Sequence, residues 1–287
     1  MADKKVIILG GAGMFGWDMA RILGESDGWE PVALTRQQLD ITDTKALTNK
    51  LSEIRPYAVV NTVGPLVDIC EEQPALADQI NIEIPERCAQ LCQKIDAIFV
   101  HLSTCGVFGN EVRYYTEKDP VVLKTEYARS KYEGEKAVLA ACHRSIVVRP
   151  GWMYGATLEH KKNFVAARLR EAAGKDHMQS ATDKVGCPTW TADAADAVLQ
   201  MIQIDGLHEV IHLNNTGGGS RAEYVQQIVK SASLDVEVEG VDSSAFPRNA
   251  EVPDCELLDN GRLNSLLNEP MPDWRDSLGK YIQGHAT

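Results

Sequence analysis

Tyr127 and Lys131 are candidates for chemistry because they lie four residues apart in a stretch, residues 126–142, whose Ala, Lys and Glu content predicts an α-helix. Side chains four residues apart share one face of a helix, so the phenol and the ammonium can converge. A neighbouring ammonium favours the phenolate and lowers the phenol pKa. The spacing therefore predicts a tyrosine that acts as a general acid or base near neutral pH.

Ser103 and Thr104 place two hydroxyl groups at the end of a strand predicted over residues 97–103. The carboxyl ends of parallel strands face the ligand crevice of an open α/β sheet. A hydroxyl at this position can therefore reach a bound substrate. The alternative is that it only caps the end of the strand.

Gly10, Gly13 and Gly16 connect an apolar run, residues 6–9, to a helix predicted over residues 14–23. This order of strand, glycine turn and helix is the context that a dinucleotide-binding site requires. Gly10 permits the tight turn, Gly13 lets the backbone approach a pyrophosphate, and Gly16 lets the helix pack close to the sheet. The pyrophosphate would lie at the helix N-terminus, where free N–H groups and the helix dipole favour an anion. The alternative is a glycine-rich turn without a ligand.

Arg36 follows the second predicted strand, residues 31–34. Sites specific for NAD usually carry an acidic residue here for the ribose 2′-hydroxyl, whereas an arginine accommodates a 2′-phosphate. Arg36 therefore predicts NADPH as the cofactor. NADH stays open as the alternative, in which the guanidinium is merely solvated.

Apolar runs alternate with helical stretches through the first half of the chain. The predicted strands are residues 6–9, 31–34, 58–63, 97–103 and 145–149, and the predicted helices are residues 14–23, 44–54, 74–93 and 126–142. This alternation predicts right-handed βαβ units and an α/β fold with a Rossmann-type, doubly wound parallel sheet.

The rhythm changes after residue 151. Helices are predicted over residues 163–174, 191–204 and 223–232, a strand over 208–213, and short irregular segments over 236–241 and 251–258. We therefore expect a NAD(P)-binding Rossmann domain over residues 1–150. A smaller C-terminal α/β substrate-binding lobe is expected over residues 151–287, and interweaving of the two is left open.

Composition and charge exclude several classes of function. The 287 residues carry 29 Lys and Arg against 41 Asp and Glu, a net charge of −12, which disfavours a nucleic-acid binder but allows one local phosphate site. No apolar run approaches the roughly 18 residues of a membrane span, and the charged N-terminus is unlike a signal peptide. Seven scattered cysteines without a CxxC pair are typical of reduced thiols. We expect a cytoplasmic protein that binds neither nucleic acid nor membranes.

Taken together, the motifs resemble those of the extended short-chain dehydrogenase/reductases, and more narrowly those of the dTDP-4-dehydrorhamnose reductases and related reductases of 4-keto-sugar nucleotides. The resemblance extends over nearly the whole chain. It is carried by the glycine motif, Asp40-Ile41, Val60-Asn61, Val67-Asp68, Glu71, Ser103-Thr104, Tyr127 to Lys131, Gly134-Glu135-Lys136, Arg149, Trp152, Tyr154-Gly155, Asn163-Phe164, Gly186, Pro188-Thr189 and Trp274-Arg275.

The resemblance implies the NAD(P)H-dependent reduction of a 4-keto-6-deoxysugar nucleotide, with another small ketone as an alternative substrate. It implies Thr104, Tyr127 and Lys131 as the catalytic residues. The predicted cofactor-binding residues are Gly10, Gly13, Met14, Phe15, Gly16, Arg36, Asp40, Ile41, Thr62, Val63, Gly64, Lys131 and Pro150. The implied substrate-binding residues are Val67, Cys105, Trp152, Asn163 and Pro188.

Three features depart from the family pattern. The family usually has an Asp-Tyr pair after the catalytic threonine, where this chain has Cys105-Gly106. The loop over residues 62–66 is shorter and contains Pro65, and an Arg-Pro element near the C-terminus appears as Val252-Pro253. The missing acids argue against a sugar-nucleotide dehydratase. A sugar-nucleotide epimerase and a non-catalytic NADP-binding subunit, like that of methionine adenosyltransferase, stay open.

Relatives also suggest quaternary and metal features. Many are dimers, so a homodimer is expected by analogy alone. Some members hold a magnesium ion between subunits through acidic residues. Asp18 could match one ligand, but Ala192 falls where another acid would be. We therefore predict no metal.

Overall fold

The chain is described by a computed structural model over residues 3–285. Its strands are β1 (Lys4–Leu9), β2 (Trp29–Leu34), β3 (Ala58–Asn61), β4 (Ile98–Leu102), β5 (Ser145–Pro150), β6 (Trp152–Tyr154), β7 (His177–Ala181), β8 (Val185–Gly186), β9 (Pro188–Trp190), β10 (Glu209–Leu213), β11 (Gly219–Ser220), β12 (Glu237–Val241) and β13 (Cys255–Glu256). Its helices are α1 (Met14–Gly24), α2 (Thr44–Ile54), α3 (Val67–Glu72), α4 (Pro74–Asp78), α5 (Ile84–Ile95), α6 (Glu126–Ala141), α7 (Phe164–Ala172), α8 (Thr191–Met201), α9 (Arg221–Ser231), α10 (Gly261–Asn264) and α11 (Trp274–His285).

One parallel sheet organises the structure, with six strands in the order β10-β5-β4-β3-β1-β2. The chain runs from β1 outward to β2 and then returns to the other side of β1 for β3. The direction of winding therefore reverses between β1 and β3, where an open α/β sheet forms its ligand crevice. The predicted α/β fold with a doubly wound, Rossmann-type parallel sheet is confirmed.

Helices cover both faces of this sheet because its strands are apolar on both sides. Val6 and Ile8 of β1 pack with buried residues of α1 and α8. Ile7 and Leu9, which point the opposite way, pack with buried residues of α2, α5 and α6. This burial on both faces fixes the sheet, and with it the edge at which the strand ends meet.

The smaller lobe contains the short sheets β11-β8-β13, β12-β7 and β6-β9. Its core is aromatic and includes the fully buried Tyr154, Tyr224, Trp274 and Tyr281. The segments expected to be irregular contain β12 and β13. The prediction is wrong for β12, which pairs in parallel with β7 some sixty residues earlier in the chain. Such a long-range pairing leaves no local periodicity.

Each half of the sequence contributes residues to the part of the structure that is formed mainly by the other half. Strand β10, from the second half, completes the six-stranded sheet beside β5. In the other direction, Phe108 and Tyr115 belong to the aromatic core of the smaller lobe, where their rings stack with centroids 4.6 Å apart. The division at residue 150 into two domains stays a prediction. Within residues 3–285, no helix has the length and apolarity that crossing a bilayer requires.

The helix predicted over residues 74–93 is interrupted. A π-helical turn over Gln79–Glu83 separates α4 from α5. At Asn81 the backbone of this turn packs directly against α6, since a methyl group on Gly134 would overlap the Asn81 carbonyl oxygen. The absence of a side chain at Gly134 therefore allows α6, which carries Tyr127 and Lys131, to pack closely here.

We expect Gly134→Ala to lower the free energy of unfolding by about 1–3 kcal/mol, the usual range for overpacking a core. The matched control is Gly279→Ala in α11, where an added methyl group would have no neighbour within 4 Å. That control should be neutral or stabilising by up to about 1 kcal/mol, because alanine favours the helix. Urea denaturation of both variants measures the difference. Equal stabilities would contradict the close packing at Gly134.

Candidate active site

The glycine turn follows β1, with Gly11 against Ala33 of β2 and Gly10 against Thr62 just beyond β3. Gly10 has a φ of +88°, which L side chains rarely adopt, and a methyl group on Gly16 would overlap the Gly10 carbonyl oxygen. Helix α1 therefore begins directly against the turn, with Gly13 at its N-cap position. Gly13 has no side chain that could occupy the first N–H groups of α1, so they can bind an anion. The cofactor contacts of Gly10, Gly13, Met14, Phe15 and Gly16 stay predictions.

The loop after β2 carries Arg36, Asp40 and Ile41. Arg36 is exposed, and Ile41 is partly buried against the core below α2. The Asp40 carboxylate accepts hydrogen bonds from the Thr42 N–H at 3.0 Å and the Thr42 hydroxyl at 2.7 Å. These bonds lower the pKa of Asp40, and the charge of Arg36 adds to the effect. The Asp40 carboxylate therefore stabilises the turn in which it lies, and the Arg36 guanidinium is close enough to act on its charge.

Thr104 and Tyr127 meet beyond the carboxyl end of β4. Thr104 Oγ1 accepts a hydrogen bond from the Gly106 N–H at 3.0 Å, and the Thr104 hydroxyl and the Tyr127 phenol line the same cavity. Burial raises the pKa of Tyr127 above its ordinary value, and the neighbouring Thr104 hydroxyl acts in the opposite direction. The phenol therefore keeps its proton at neutral pH, which is the state that proton donation requires.

Lys131 is buried on α6, and its Nζ donates a hydrogen bond to the Leu102 carbonyl at 2.9 Å. Burial lowers the pKa of Lys131 to about 8. A methyl group on Gly64 would come within 3.2 Å of Nζ, so the predicted cofactor loop lies beside the ammonium. The expectation that the pKa of Tyr127 is lowered is wrong for this structure, because the loss of solvent around the phenol dominates.

A buried ion pair holds α6 against the sheet. Arg149 of β5 donates to both Glu135 oxygens, at 2.9 Å from Nε and 2.7 Å from Nη2, and both side chains are buried. The Ser103 hydroxyl donates to the same carboxylate. Ser103 directly precedes Thr104, and Glu135 lies one turn beyond Lys131. The network therefore links the helix with the phenol and the ammonium to the loop with the threonine.

The first turn of α6 is held from two sides. The Thr125 side chain accepts a hydrogen bond from the Ala128 N–H at 3.0 Å, which makes Thr125 the N-cap. The Glu71 carboxylate of α3 accepts from the Glu126 N–H at 2.7 Å. Both bonds fix the residues on either side of Tyr127. The sequence pointed to Glu71 only through the resemblance, and its anchoring role is visible only in the structure.

Two adjoining cavities open at this edge of the sheet. The smaller, of about 240 Å³, lies over Thr104 and Tyr127 and is also lined by Val67, Gly106, Thr125, Trp152, Pro253 and Glu256. The larger, of about 570 Å³, includes Phe164, Arg168, Phe246 and residues 242–244 in its lining. Lys184, Arg221, Arg248 and Val252 line both cavities. The shared residues mark the junction between them.

Three cations gather at this junction. The Arg221 guanidinium lies 3.4 Å from the centroid of the Trp152 ring, and burial lowers its pKa from the ordinary arginine value. Lys184 forms an ion pair with Asp254, and Arg248 is exposed. Cations beside an aromatic-lined cavity can bind an anionic group that is attached to a planar ring.

The predicted substrate residues fall into two groups. Val67 and Trp152 line the smaller cavity, and Cys105 lies behind it, with its Sγ donating to Glu256 Oε1 at 3.3 Å. Asn163 and Pro188 do not line either cavity. Both stabilise the lobe instead, as the N-cap of α7 and as the β9 residue that pairs with Trp152.

The amide of Asn163 is fully buried and committed to protein groups. Its Nδ2 donates to the Gly155 carbonyl at 2.9 Å and to the Tyr281 hydroxyl at 2.6 Å.

Three further predicted cofactor residues lie at the ends of strands. Pro150 ends β5 inside the sheet and is buried. Among the predicted cofactor residues, Thr62 donates its hydroxyl to the Leu9 carbonyl at 2.8 Å, which joins β3 to β1 at the crevice. Val63 packs against the core on the α2 side of the sheet.

Sequence analysis missed Arg221, Lys184 and Glu256. The role of Arg221 could not be predicted because it is the first residue of a helix that follows a glycine-rich turn, where an arginine is usually solvated. Glu256 lies in a two-residue strand without periodicity. Neither position has a local signal that distinguishes it from a surface charge.

Asp18, which could match a metal ligand of some family members, is committed to protein groups. Its carboxylate accepts hydrogen bonds from the Ala156 N–H at 2.9 Å and from the Thr191 hydroxyl, and it pairs with Arg21. Within residues 3–285, no three His, Cys, Asp or Glu side chains are grouped so that they could hold a metal ion. Asp18 thus joins α1 to the smaller lobe.

Comparison with known proteins decides the family. The family described as "RmlD substrate binding domain" matches residues 4–286. The chain belongs to this RmlD family. A dTDP-4-dehydrorhamnose reductase of Streptomyces griseus is 35% identical to this RmlD-family chain over 280 residues, which cover 95% of the chain and 91% of the relative. A probable dTDP-4,6-dihydroxy-2-methyloxan-3-one 4-ketoreductase of Streptomyces antibioticus is 33% identical, with 95% and 92% covered.

Solved structures agree with the RmlD family in fold. A dTDP-4-dehydrorhamnose reductase of Clostridium acetobutylicum superposes with a TM-score of 0.90 at 31% identity, covering 97% of this chain and 98% of that one. The enzyme of Bacillus anthracis, solved in complex with NADP, gives a TM-score of 0.91 at 28% identity, with 98% and 99% covered. The resemblance stated from the sequence is therefore confirmed.

We expect Arg149→Met to lower the free energy of unfolding by about 3–5 kcal/mol, because it leaves the Glu135 carboxylate buried without its partner. The matched control is Arg262→Met, which breaks the exposed pair with Glu209. That control should cost less than about 1 kcal/mol. Chemical denaturation monitored by tryptophan fluorescence measures both. Similar losses in the two variants would mean that the buried pair does not hold α6.

Proposed function

We propose that this RmlD-family chain is an NADPH-dependent reductase of a 4-keto-6-deoxysugar nucleotide. One observation carries the proposal: Thr104 and Tyr127 together line a small cavity that continues, past three cations, into a larger one. A sugar ring fits the first space and a nucleotide the second. The reductase relatives of two Streptomyces species support the same reaction class.

The crevice fits a dinucleotide cofactor. The open N-terminus of α1 behind Gly13 would hold the pyrophosphate, since N–H groups and the helix dipole attract anions there. Arg36 would bind the 2′-phosphate that distinguishes NADPH from NADH. When bound, NADPH supplies the hydride that reduces the ketone. The NADP bound to the Bacillus anthracis relative supports this cofactor.

Tyr127 would donate its proton to the ketone oxygen as that oxygen gains negative charge. The Thr104 hydroxyl, which lines the same cavity as the phenol, would orient the same oxygen. Lys131 has three N–H donors, so it can keep the Leu102 carbonyl and still bind a ribose hydroxyl of the cofactor. The ion pair of Glu135 with Arg149 would hold these groups at a fixed separation, which lowers the entropic cost of reaction.

The nucleotide half of the substrate would occupy the larger cavity. Arg221, Lys184 and Arg248 lie where a diphosphate would pass from one cavity to the other. Phe246 is exposed on the wall of the larger cavity and offers an aromatic face to a base. The same cations would give a neutral small ketone no advantage. The site therefore favours a sugar nucleotide over a small ketone.

Two other functions share the fold. A sugar-nucleotide epimerase recycles its nucleotide and should be purified with it, whereas a reductase should consume one NADPH for each ketone reduced. A non-catalytic NADP-binding subunit should bind NADPH without oxidising it. Measuring NADPH oxidation with a panel of 4-keto-sugar nucleotides, together with the nucleotide retained through purification, separates the three. The homodimer and the cytoplasmic location expected from the sequence stay predictions.

We expect Tyr127→Phe to lower kcat by about 10²- to 10⁴-fold, because the general acid is removed. The dissociation constant for NADPH should change little. Tyr132→Phe, one turn further along α6 and packed beside Lys136, is the matched control and should keep the activity of the unmodified enzyme. Steady-state NADPH oxidation and fluorescence titration provide the two readouts. Full turnover in Tyr127→Phe would reject the assignment.

We expect kcat/KM for NADPH to fall as the pH rises through about 8. Burial lowers the pKa of Lys131 to about 8, so its charge is lost there and not above pH 10, as for a free lysine. The pKa of Tyr127 is raised, so the phenol does not titrate in this range. Lys131→Arg keeps its charge and should move the fall to higher pH. Superimposable profiles for the two proteins would show that Lys131 is not responsible.

A further inference from the structure

Glu256 faces the same cavity as Thr104 and Tyr127, yet the proposed reaction gives it no task. It lies in β13, and its side chain is only partly buried. The carboxylate reaches the cavity from a segment 151 residues away from Cys105 along the chain. A carboxylate at this place must be explained by the protein groups it binds or by the ligand it meets.

Protein groups occupy only part of the carboxylate. Glu256 Oε2 accepts a hydrogen bond from Trp152 Nε1 at 2.6 Å, and Oε1 accepts from Cys105 Sγ at 3.3 Å. An ionised carboxylate has about four lone-pair sites, so roughly half of its accepting capacity is left for the cavity. The Trp152 bond fixes the direction in which the remaining sites point.

Small neighbours leave the space that Glu256 fills. A methyl group on Gly106 would come 3.3 Å from Glu256 Oε1 and 3.4 Å from Thr104 Oγ1, so both oxygen atoms border the space beside Gly106. A ligand group that reaches Glu256 Oε1 through this space also lies near Thr104, where the proposed reaction would hold the sugar ring.

The chemistry of the Glu256 carboxylate determines which ligand groups it can bind. A carboxylate only accepts hydrogen bonds, so it binds a donor and repels phosphate. The cations Arg221, Lys184 and Arg248 line both cavities, so the phosphates of the ligand would lie at the junction. Arg221 stacks on the same Trp152 ring that donates to Glu256, so the carboxylate lies beside the junction and reaches from there toward Gly106 and Thr104. Toward Thr104, the donors that a sugar ring can offer are its hydroxyl groups.

We propose that Glu256 is a specificity-determining residue that accepts a hydrogen bond from a ring hydroxyl of the keto sugar. This inference rests on the proposed function. It assigns to the substrate a free hydroxyl at C2 or C3, within reach of the residue that faces Thr104. It also gives Cys105 and Gly106, the residues that depart from the family pattern, a common purpose, since together they make room for the carboxylate and bind it.

The test compares sugar nucleotides that differ by one hydroxyl. The probes are a dTDP-6-deoxyhexose with hydroxyls at C2 and C3, its 2-deoxy form and its 3-deoxy form, each titrated calorimetrically into the NADP-loaded enzyme. The unmodified enzyme should bind one deoxy form about 10- to 100-fold more weakly, the range for one hydrogen bond to a charged group. Glu256→Ala and Glu256→Gln should reduce that ratio to about 3-fold or less. Glu53→Gln, an exposed change on α2, should preserve it.

The outcomes separate the possible failures. If Glu256 only anchors Trp152, its variants weaken all three probes equally and the ratio persists, which overturns the proposal. Equal binding of all probes by the unmodified enzyme overturns it as well. If the unmodified enzyme binds none of the probes, the proposed function itself fails. Glu256→Gln keeps the size of the side chain, so it tests the proposal even if Glu256→Ala does not fold.

Discussion

The buried ion pair between Glu135 and Arg149 is the interaction on which the geometry of the site depends. It joins α6 to β5, and through the Ser103 hydroxyl it also reaches the end of β4. Two charges taken out of water are costly unless each is paired and hydrogen-bonded. Here the partners make two contacts with each other, while Arg149 Nη1 has no hydrogen-bond partner, and a shift of the helix relative to the sheet would break both contacts. The helix is thereby held in the position that brings Tyr127 against Thr104.

Close packing on the other side of α6 also restricts the position of this helix. The backbone of the π-helical turn around Asn81 approaches Gly134, and Asn81 Nδ2 donates to the Ser130 hydroxyl at 2.9 Å. Helix α6 is thus confined between a polar network and a turn of irregular geometry. Such π-helical turns are frequent at functional sites, where they adjust the position of one part of a helix. A proton donor needs this confinement because small displacements weaken catalysis strongly.

An acidic chain can still bind two anionic ligands when its positive charge is local. The net charge is −12, yet the cavity junction collects Lys184, Arg221 and Arg248, and a helix N-terminus opens at the glycine turn. The three cations line both cavities, whereas Glu256 lines only the smaller one, beside Gly106 and Thr104. In the proposed reaction, this arrangement would orient the substrate, since its phosphates would bind the cations at the junction and a ring hydroxyl would bind Glu256.

Features that depend on residues close together along the chain could be read from the amino-acid sequence. Alternating apolar and helical runs predicted the parallel sheet, the glycine turn lay where the strand and helix required it, and the four-residue interval brought Tyr127 and Lys131 onto one helix. Contacts between residues far apart along the chain follow from the fold and leave no local pattern in the sequence. Glu256 and Arg221 reach the cavity through long-range folding, β12 finds its partner in β7, and Asn163 is a helix cap and not part of the cavity wall. The protonation of Tyr127 was equally hidden, because spacing indicates which charges are near but not how much water burial removes.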